Sequence, residues 1–145
     1  MSETENRRII EEAFAAFNAH DADRYVQHVA DSYVWESDAF PAPVRGREAT
    51  KQTLQMFFQG FPDLHLEIEQ MITSGDFVVV RWQASGTHKG EFNGIAATNR
   101  SAKVRGCTVD EIRNGQVVKS SHYSDQLALL QQLGAAPGKA AAAAN

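Results

Sequence analysis

The stretch AKVRGCTVDEIRNGQVVKSSHYS, residues 102–124, decides the fold. Two alternating runs flank Asn114 and Gly115, and this dipeptide between such runs is typical of a tight β-hairpin. Two further runs precede it: residues 63–72 alternate strictly between apolar and polar side chains, and residues 77–88 follow a short turn. The second half of the chain therefore predicts an antiparallel sheet of at least four strands.

The first half of the chain shows helical periodicity instead. Apolar side chains recur at helical spacing over residues 3–18, Asp21 is placed to cap a second helix, and residues 47–61 form a third helical pattern. Between them, residues 32–37 predict a short strand, and residues 39–46, with two prolines and a glycine, predict a loop.

This order of elements predicts an α+β fold. We expect three N-terminal helices to cover a curved antiparallel sheet of four to six strands, which would form a cone-shaped barrel with an apolar pocket. A short last helix ends at Gly134. We expect one domain over residues 1–134 and a disordered, low-complexity tail over residues 135–145.

Composition excludes several classes of partner. The formal net charge of −4 argues against nucleic acid, whose binding proteins carry a basic patch. No apolar run approaches the roughly 20 residues of a membrane span, and the polar N-terminus does not resemble a signal segment. Cys107 is the single cysteine, which leaves no disulfide framework. These features predict a cytoplasmic protein.

Several stretches resemble the SnoaL-like polyketide cyclases, a family of the nuclear-transport-factor-two-like superfamily that also holds ketosteroid isomerases. The most specific are GTHKGEFNGI at residues 86–95 and DQLALLQQLG at residues 125–134, and weaker matches extend the resemblance back to about residue 9. The resemblance implies a cone-shaped α+β barrel, often a homodimer through the outer sheet face, and no cofactor. It also implies acid–base chemistry on a carbonyl-rich ring substrate, typically an intramolecular aldol closure.

The chain departs from the family pattern at the catalytic base. In the cyclases the base is an aspartate three residues before the aspartate that matches Asp125, and here that position is His122. A helper histidine of the cyclases lies near Thr108. Histidine titrates near neutral pH, which suits proton abstraction. We therefore predict His122 as the base, with Asp110 and Asp125 as further catalytic residues; Asp125 also fits a helix N-cap.

The hairpin register determines which way His122 points. A two-residue turn at Asn114 and Gly115 would place His122 opposite Cys107, whereas a three-residue loop would place it opposite Thr108. In the second register Asp110 would share the face of His122 as a diagonal neighbour and could orient the imidazole. Both registers are open from the residues alone, and the resemblance favours the second.

Substrate-binding candidates are the aromatic and polar side chains expected near the pocket: Trp35, Trp82, Tyr123, Asp38 and His88. Trp35 would stack on a flat ring, Asp38 would supply a second acid–base carboxylate, and His88 lies in a family motif. Each also has a purely structural interpretation: a core aromatic, an exposed loop charge and a turn-stabilising side chain.

The predicted function is proton abstraction from a polyketide-type or other carbonyl compound, leading to aldol cyclisation or isomerisation. The five histidines lack metal-ligand spacing and no phosphate-binding glycine loop occurs, so we predict neither a metal nor a cofactor. The expected partner is a small hydrophobic or polycyclic ligand. Two alternatives stay open: an epoxide-opening or ketosteroid isomerase-like enzyme in which Asp38, Asp110 and Asp125 converge, and a non-catalytic ligand-binding protein.

Overall fold

A computed structural model describes residues 2–135. Four helices are present in this range: α1 (Glu3–Asn18), α2 (Ala22–Val26), α3 (Arg47–Gly60) and α4 (Gln126–Leu133). The strands are β1 (Val29–Ser37), β2 (Val44–Arg45), β3 (His65–Ser74), β4 (Phe77–Thr87), β5 (Ser101–Arg113) and β6 (Gln116–Ser124). The tail predicted over residues 135–145 lies outside the described residues, apart from its first member.

The six strands form one sheet in the order β2-β1-β6-β5-β4-β3. The predicted α+β class is confirmed, but the sheet is mixed rather than wholly antiparallel, because β1 runs parallel to β6. One helix and four strands separate β1 from β6 along the chain, so no hairpin fixes their relative direction. Strand periodicity contains no information about direction, which is why the sequence did not predict this pairing.

The two-residue strand β2 forms where the sequence predicted a loop. Val44 and Arg45 pair with Trp35 and Val34 at the edge of the sheet. Pro41 and Pro43, which precede β2, have no N–H group to donate to a ladder, and this keeps such an edge strand short.

The β5–β6 hairpin has the predicted turn. Asn114 and Gly115 adopt positive φ angles of 51° and 77°, the conformation that a two-residue type I′ turn requires. Arg113 pairs with Gln116 across this turn, as the first of the two registers would have it.

A β-bulge then changes the register of the same hairpin. The pairing shifts by one residue between Glu111 and Ile112, because Val118 is inserted as an extra residue on β6. As a result, Thr108 lies opposite His122, as in the second register. The turn of one alternative and the register of the other are thus both present.

The hydrophobic core lies between the helices and the concave face of the sheet. Ile10 of α1, Leu54 of α3, Val80 of β4 and Ile112 of β5 are nearly inaccessible to solvent. Their burial follows the predicted alternation, since the even-numbered residues of β4 face inward. Among the helices of residues 2–135, none combines the length and apolar character needed to cross a bilayer.

Candidate functional site

A cavity of about 120 Å³ opens between the concave face of the sheet and helices α1, α3 and α4. We call it the outer cavity. Its walls are mostly aromatic and aliphatic, including Phe17, Trp35, Phe57, Phe61, Trp82 and Phe92. Among the described residues that line it, His122 is the single ionisable side chain, and the other polar side chains are serines and Gln126.

A smaller space of about 40 Å³ lies deeper in the cone. We call it the inner chamber. Unlike the outer cavity, it is lined by several polar groups: Tyr25, Thr108, Asp110 and Ser120. The two spaces share a partition whose members line both of them: Phe17, Trp35, Leu66, Trp82 and His122.

The His122 imidazole lies between the two tryptophans of the partition. Its ring centroid is 4.8 Å from that of Trp82, at 66°, and 6.3 Å from that of Trp35, at 37°. Burial among these rings lowers the pKa of His122 to about 4, and the nearby Asp38 carboxylate opposes this effect. The imidazole is therefore neutral at pH 7 and has a lone pair available to accept a proton.

A glycine makes room for this arrangement. Trp82 donates from Nε1 to Thr108 Oγ1 at 2.9 Å, which fixes the indole across β5. A Cβ atom added at Gly106 would lie 2.2 Å from the Trp82 ring. Gly106 is therefore required for the position of Trp82, and through Trp82 for the wall beside His122.

The inner chamber contains a chain of buried hydrogen bonds that ends at Asp110. Tyr33 donates from its hydroxyl to Ser120 Oγ at 2.7 Å, and Ser120 in turn donates to Asp110 Oδ1. Burial raises the pKa of Asp110 to about 7, against the opposing effect of the Ser120 hydrogen bond. Burial also raises the pKa of Tyr25 and of Tyr33, so both phenols stay protonated.

The structure brings His122, Trp35 and Trp82 together at the outer cavity and places Asp110 in the inner chamber behind them. Asp125 lies outside the lining: its Oδ1 accepts from the backbone N–H of Ala128 at 2.9 Å and caps α4, as its structural interpretation predicted.

Asp38 also lies outside the lining. It is exposed at the rim, where its Oδ2 accepts from the backbone N–H of Ser124 at 3.0 Å. Asp38, Asp110 and Asp125 therefore do not converge, and the geometry that an epoxide-opening enzyme would need is not formed by them. Within residues 2–135, no three His, Cys, Asp or Glu side chains are grouped closely enough to hold a metal ion.

His88 and Tyr123 are likewise outside both spaces. His88 is fully buried, stacks on Phe61 and has its Nδ1 3.0 Å from Thr98 Oγ1, so it holds together the loop of residues 88–100. Tyr123 is 56% exposed, because it neighbours His122 on β6 and alternation turns it to the convex face.

Sequence analysis missed the polar partners of Asp110. Ser120 precedes His122 by two residues on β6, and Tyr33 precedes Trp35 by two residues on β1. Strand alternation puts each pair on one face, so Ser120 shares the face of His122 and Tyr33 shares the face of Trp35. Tyr25 offered no comparable signal, since it lies on a five-residue helix.

Comparison with known proteins agrees with this architecture. A family model described as SnoaL-like polyketide cyclase matches residues 7–133. The chain belongs to this family. Among curated proteins, a search finds none that matches this SnoaL-like chain.

Solved structures share the SnoaL-like fold. A candidate hydroxylase, AclR from Streptomyces galilaeus, is 26% identical with a TM-score of 0.83, over 94% of this chain and 100% of that one. IdmH from Streptomyces antibioticus, a candidate polyketide cyclase, is 28% identical with a TM-score of 0.77, over 89% and 98%. A candidate SnoaL-like cyclase from Jannaschia Sp. CCS1 is 24% identical with a TM-score of 0.85, over 93% and 95%, and supports the fold alone.

Proposed function

We propose that this SnoaL-like chain is a cofactor-independent enzyme that takes an acidic proton from a polyketide-type or other carbonyl compound. The subsequent step would be an aldol cyclisation or an isomerisation. The observation that carries the proposal is the placement of His122, the one ionisable group lining a largely apolar cavity in the part of the chain that the structure describes. The similarity to IdmH, described as a candidate polyketide cyclase, supports the same class of substrate.

The lining suits a flat, mostly apolar molecule with one reacting pole. Trp35, Phe57 and Phe92 offer ring faces and edges along the outer cavity, and such contacts favour offset or edge-to-face packing of an aromatic ligand. The low-dielectric surroundings exclude water and strengthen the electrostatic interactions that remain. A carbonyl compound bound there would present its acidic C–H to the imidazole at the inner end.

The neutral imidazole is a weak base in the empty cavity. When it accepts the proton, however, the substrate becomes an enolate, and the imidazolium and enolate charges attract each other at short range. Their attraction raises the pKa of His122 at the moment of reaction. Ser37, Ser124 and Gln126 at the cavity wall are hydrogen-bond donors of the kind that stabilise an enolate oxygen.

Exchange of α-protons with solvent tests this proposal without knowledge of the natural substrate. A neutral aromatic β-ketoester, ethyl benzoylacetate, is incubated in D₂O with the protein, and loss of its α-proton signal is followed by NMR. We expect the wild type to accelerate exchange and His122→Gln to reduce the rate by about 10²- to 10⁴-fold, the usual contribution of a general base.

A second histidine serves as the matched control. His65 is exposed on β3 and lines neither space, so His65→Gln is expected to exchange at the wild-type rate. Exchange by His122→Gln at the wild-type rate would contradict the role of His122. Tight binding of the ester by the wild type with no acceleration of exchange would instead identify a ligand-binding protein.

We also propose that a second copy of the chain covers the convex face of the sheet, as the family resemblance implied. The large apolar side chains of Ile72, Phe77 and Tyr123 are 50%, 45% and 56% exposed there. Residues of both charge signs flank them, including the ion pair of Glu69 with Arg105. Two copies would therefore not repel each other, as two surfaces of the same charge would. Ile72→Lys would then convert a dimer to a monomer in light scattering, whereas a wild type that is monomeric at every concentration would contradict this.

A further inference from the structure

The inner chamber has the size and the polar lining of a water site. Its volume of about 40 Å³ exceeds the roughly 10–15 Å³ that one water molecule needs. A buried water also needs two to four polar partners. The polar residues that line the chamber are Tyr25, Thr108, Ser120, Asp110 and His122.

Two of these groups have hydrogen-bonding capacity that the protein does not use. Among residues 2–135, the one side-chain hydrogen bond to the Asp110 carboxyl goes to Oδ1, from Ser120. No described group donates to Oδ2, and none bonds to either ring nitrogen of His122. Buried polar groups are nearly always hydrogen-bonded, to protein or to ordered water.

The two groups also lie on the same face of the β5–β6 hairpin and line the same chamber. Asp110 pairs with Ser120, and Thr108 pairs with His122, so Asp110 and His122 are diagonal neighbours on one face of the β5–β6 ladder. Diagonal neighbours have Cα atoms roughly 7–8 Å apart, which brings long side chains near each other without forcing direct contact.

We propose that the inner chamber binds one water molecule between His122 and Asp110, and that Asp110 receives through this water the proton that His122 takes from the substrate. This inference rests on the proposed function. Asp110 acts through His122 and does not touch the substrate, so it is a positioning and proton-holding residue.

The proton transfer balances without any further reactant. The substrate C–H bond breaks, its electron pair stays on the substrate as an enolate, and its proton forms a bond to one ring nitrogen of His122. The other ring nitrogen gives its proton to the water, and the water gives one of its own protons to Asp110 Oδ2. The imidazole ends neutral, Asp110 ends as a carboxylic acid, and the reverse path returns the proton to the product.

The surroundings favour the proton on Asp110 rather than on His122. Burial raises the pKa of Asp110 to about 7 and lowers that of His122 to about 4. Of the other titratable groups nearby, Tyr25 lines the chamber and Tyr33 is hydrogen-bonded to Ser120 behind it. Both phenols stay protonated, and the Asp38 carboxylate acts on His122 from the rim. No lysine or arginine is among the described residues that line the chamber.

A crystal structure of the wild-type protein tests the water site directly. We expect one ordered water within about 3 Å of both Asp110 Oδ2 and a ring nitrogen of His122. A dry chamber, or a direct hydrogen bond between the two side chains, would overturn the proposal. This measurement does not depend on the folding of any variant.

The pH profile of ethyl benzoylacetate exchange tests the transfer. A relay that needs ionised Asp110 gives a wild-type rate that rises with pH through about 7, and Asp110→Asn is expected to lose this rise and about 10- to 100-fold of the rate at pH 8. Glu111→Gln is the matched control, because Glu111 is the next residue of β5, faces the convex side and pairs with Arg113. Glu111→Gln should keep the wild-type profile.

The outcomes separate the two proposals. Exchange that His122→Gln abolishes and Asp110→Asn leaves unchanged would overturn the relay while the proposed function stands. Exchange that neither substitution affects would contradict the proposed function, and the relay with it.

Discussion

The outer cavity and the inner chamber share a wall but differ in chemistry. The outer cavity is lined by rings and has His122 as its one ionisable group in the described range, whereas the inner chamber collects a carboxyl, two hydroxyls and a phenol. Burial shifts the pKa values of His122 and Asp110 in opposite directions: it lowers that of His122 to about 4 and raises that of Asp110 to about 7. This difference is the basis of our proposal that the outer cavity binds the apolar substrate and that the inner chamber accepts its proton.

The largest effect on stability is expected from a comparison of two residues that lie one helical turn apart on α3. Leu54 is 1% exposed and lines the inner chamber, whereas Phe57 is half-buried and lines the outer cavity. Leu54→Ala should lower the free energy of unfolding by about 2–5 kcal/mol, the usual range for a buried leucine. Phe57→Ala should destabilise less and weaken binding of an aromatic ester more, as measured by denaturation and by tryptophan fluorescence. If Leu54→Ala and Phe57→Ala changed stability equally and ester binding equally, the different roles of the inner chamber and the outer cavity would be contradicted.

The next effect is on the pH dependence of stability. The pKa of Asp110 is raised to about 7 in the folded chain from about 4 when unfolded, so its stabilisation is full below pH 4 and is lost as the pH rises through 7. The pKa of His122 is lowered to about 4 from about 6.5, so its stabilisation is full above pH 6.5 and is lost as the pH falls through 4.

The contributions of Asp110 and His122 to the pH dependence of the unfolding free energy nearly cancel in the wild type between pH 4 and 6.5. Each is on the order of 3 kcal/mol, since one pKa unit corresponds to about 1.4 kcal/mol. Asp110→Asn should therefore become more stable as the pH rises over this window, and His122→Gln should become less stable. Urea denaturation at several pH values measures both slopes, and slopes of the same sign in the two variants would contradict the opposed environments.

A smaller effect is expected when the partition is disturbed. Gly106→Ala would place a Cβ atom against the Trp82 ring, and such overpacking typically costs about 1–3 kcal/mol. The displaced indole would lose its hydrogen bond to Thr108 and change its fluorescence. Cys107→Ala, on the next residue of β5, faces the convex side and should change neither quantity.

The smallest effect concerns Asp125 at the rim. Removing the N-cap by Asp125→Ala should lower stability by about 1 kcal/mol. Thermal melting measures this loss, and exchange of ethyl benzoylacetate is followed in parallel. A fall in the exchange rate larger than unfolding explains would support the catalytic role that the sequence predicted for Asp125.

More of the fold than of the candidate site could be predicted from the sequence. The Asn114-Gly115 signal and strand alternation are local, and they predicted a hairpin at this position and its two strands, while the length of the turn stayed open. No local sequence pattern predicted the bulge at Val118. Because the bulge determines the face that His122 occupies, the register stayed open until the structure fixed it.

The candidate site was predicted in part for the same reason. Trp35 and Trp82 lie on inward-facing strand positions that alternation can identify, whereas the inward position of His122 depends on the bulge at Val118. Asp38 and Asp125 lie just after the ends of strands. Their carboxylates accept hydrogen bonds from backbone N–H groups at the rim and do not line the cavity. The link from Tyr33 through Ser120 to Asp110 joins three strands, and it became visible only with the parallel pairing of β1 and β6.

The central claim is that the half-buried His122 imidazole lies in the partition between the two spaces and is largely shielded from bulk water. An NMR titration of the imidazole of His122, assigned with the His122→Gln variant, tests it most directly. We predict that the ring stays neutral from pH 8 down to near pH 4. A titration midpoint at the ordinary value of about 6.5 would show a ring in contact with water and would contradict the account.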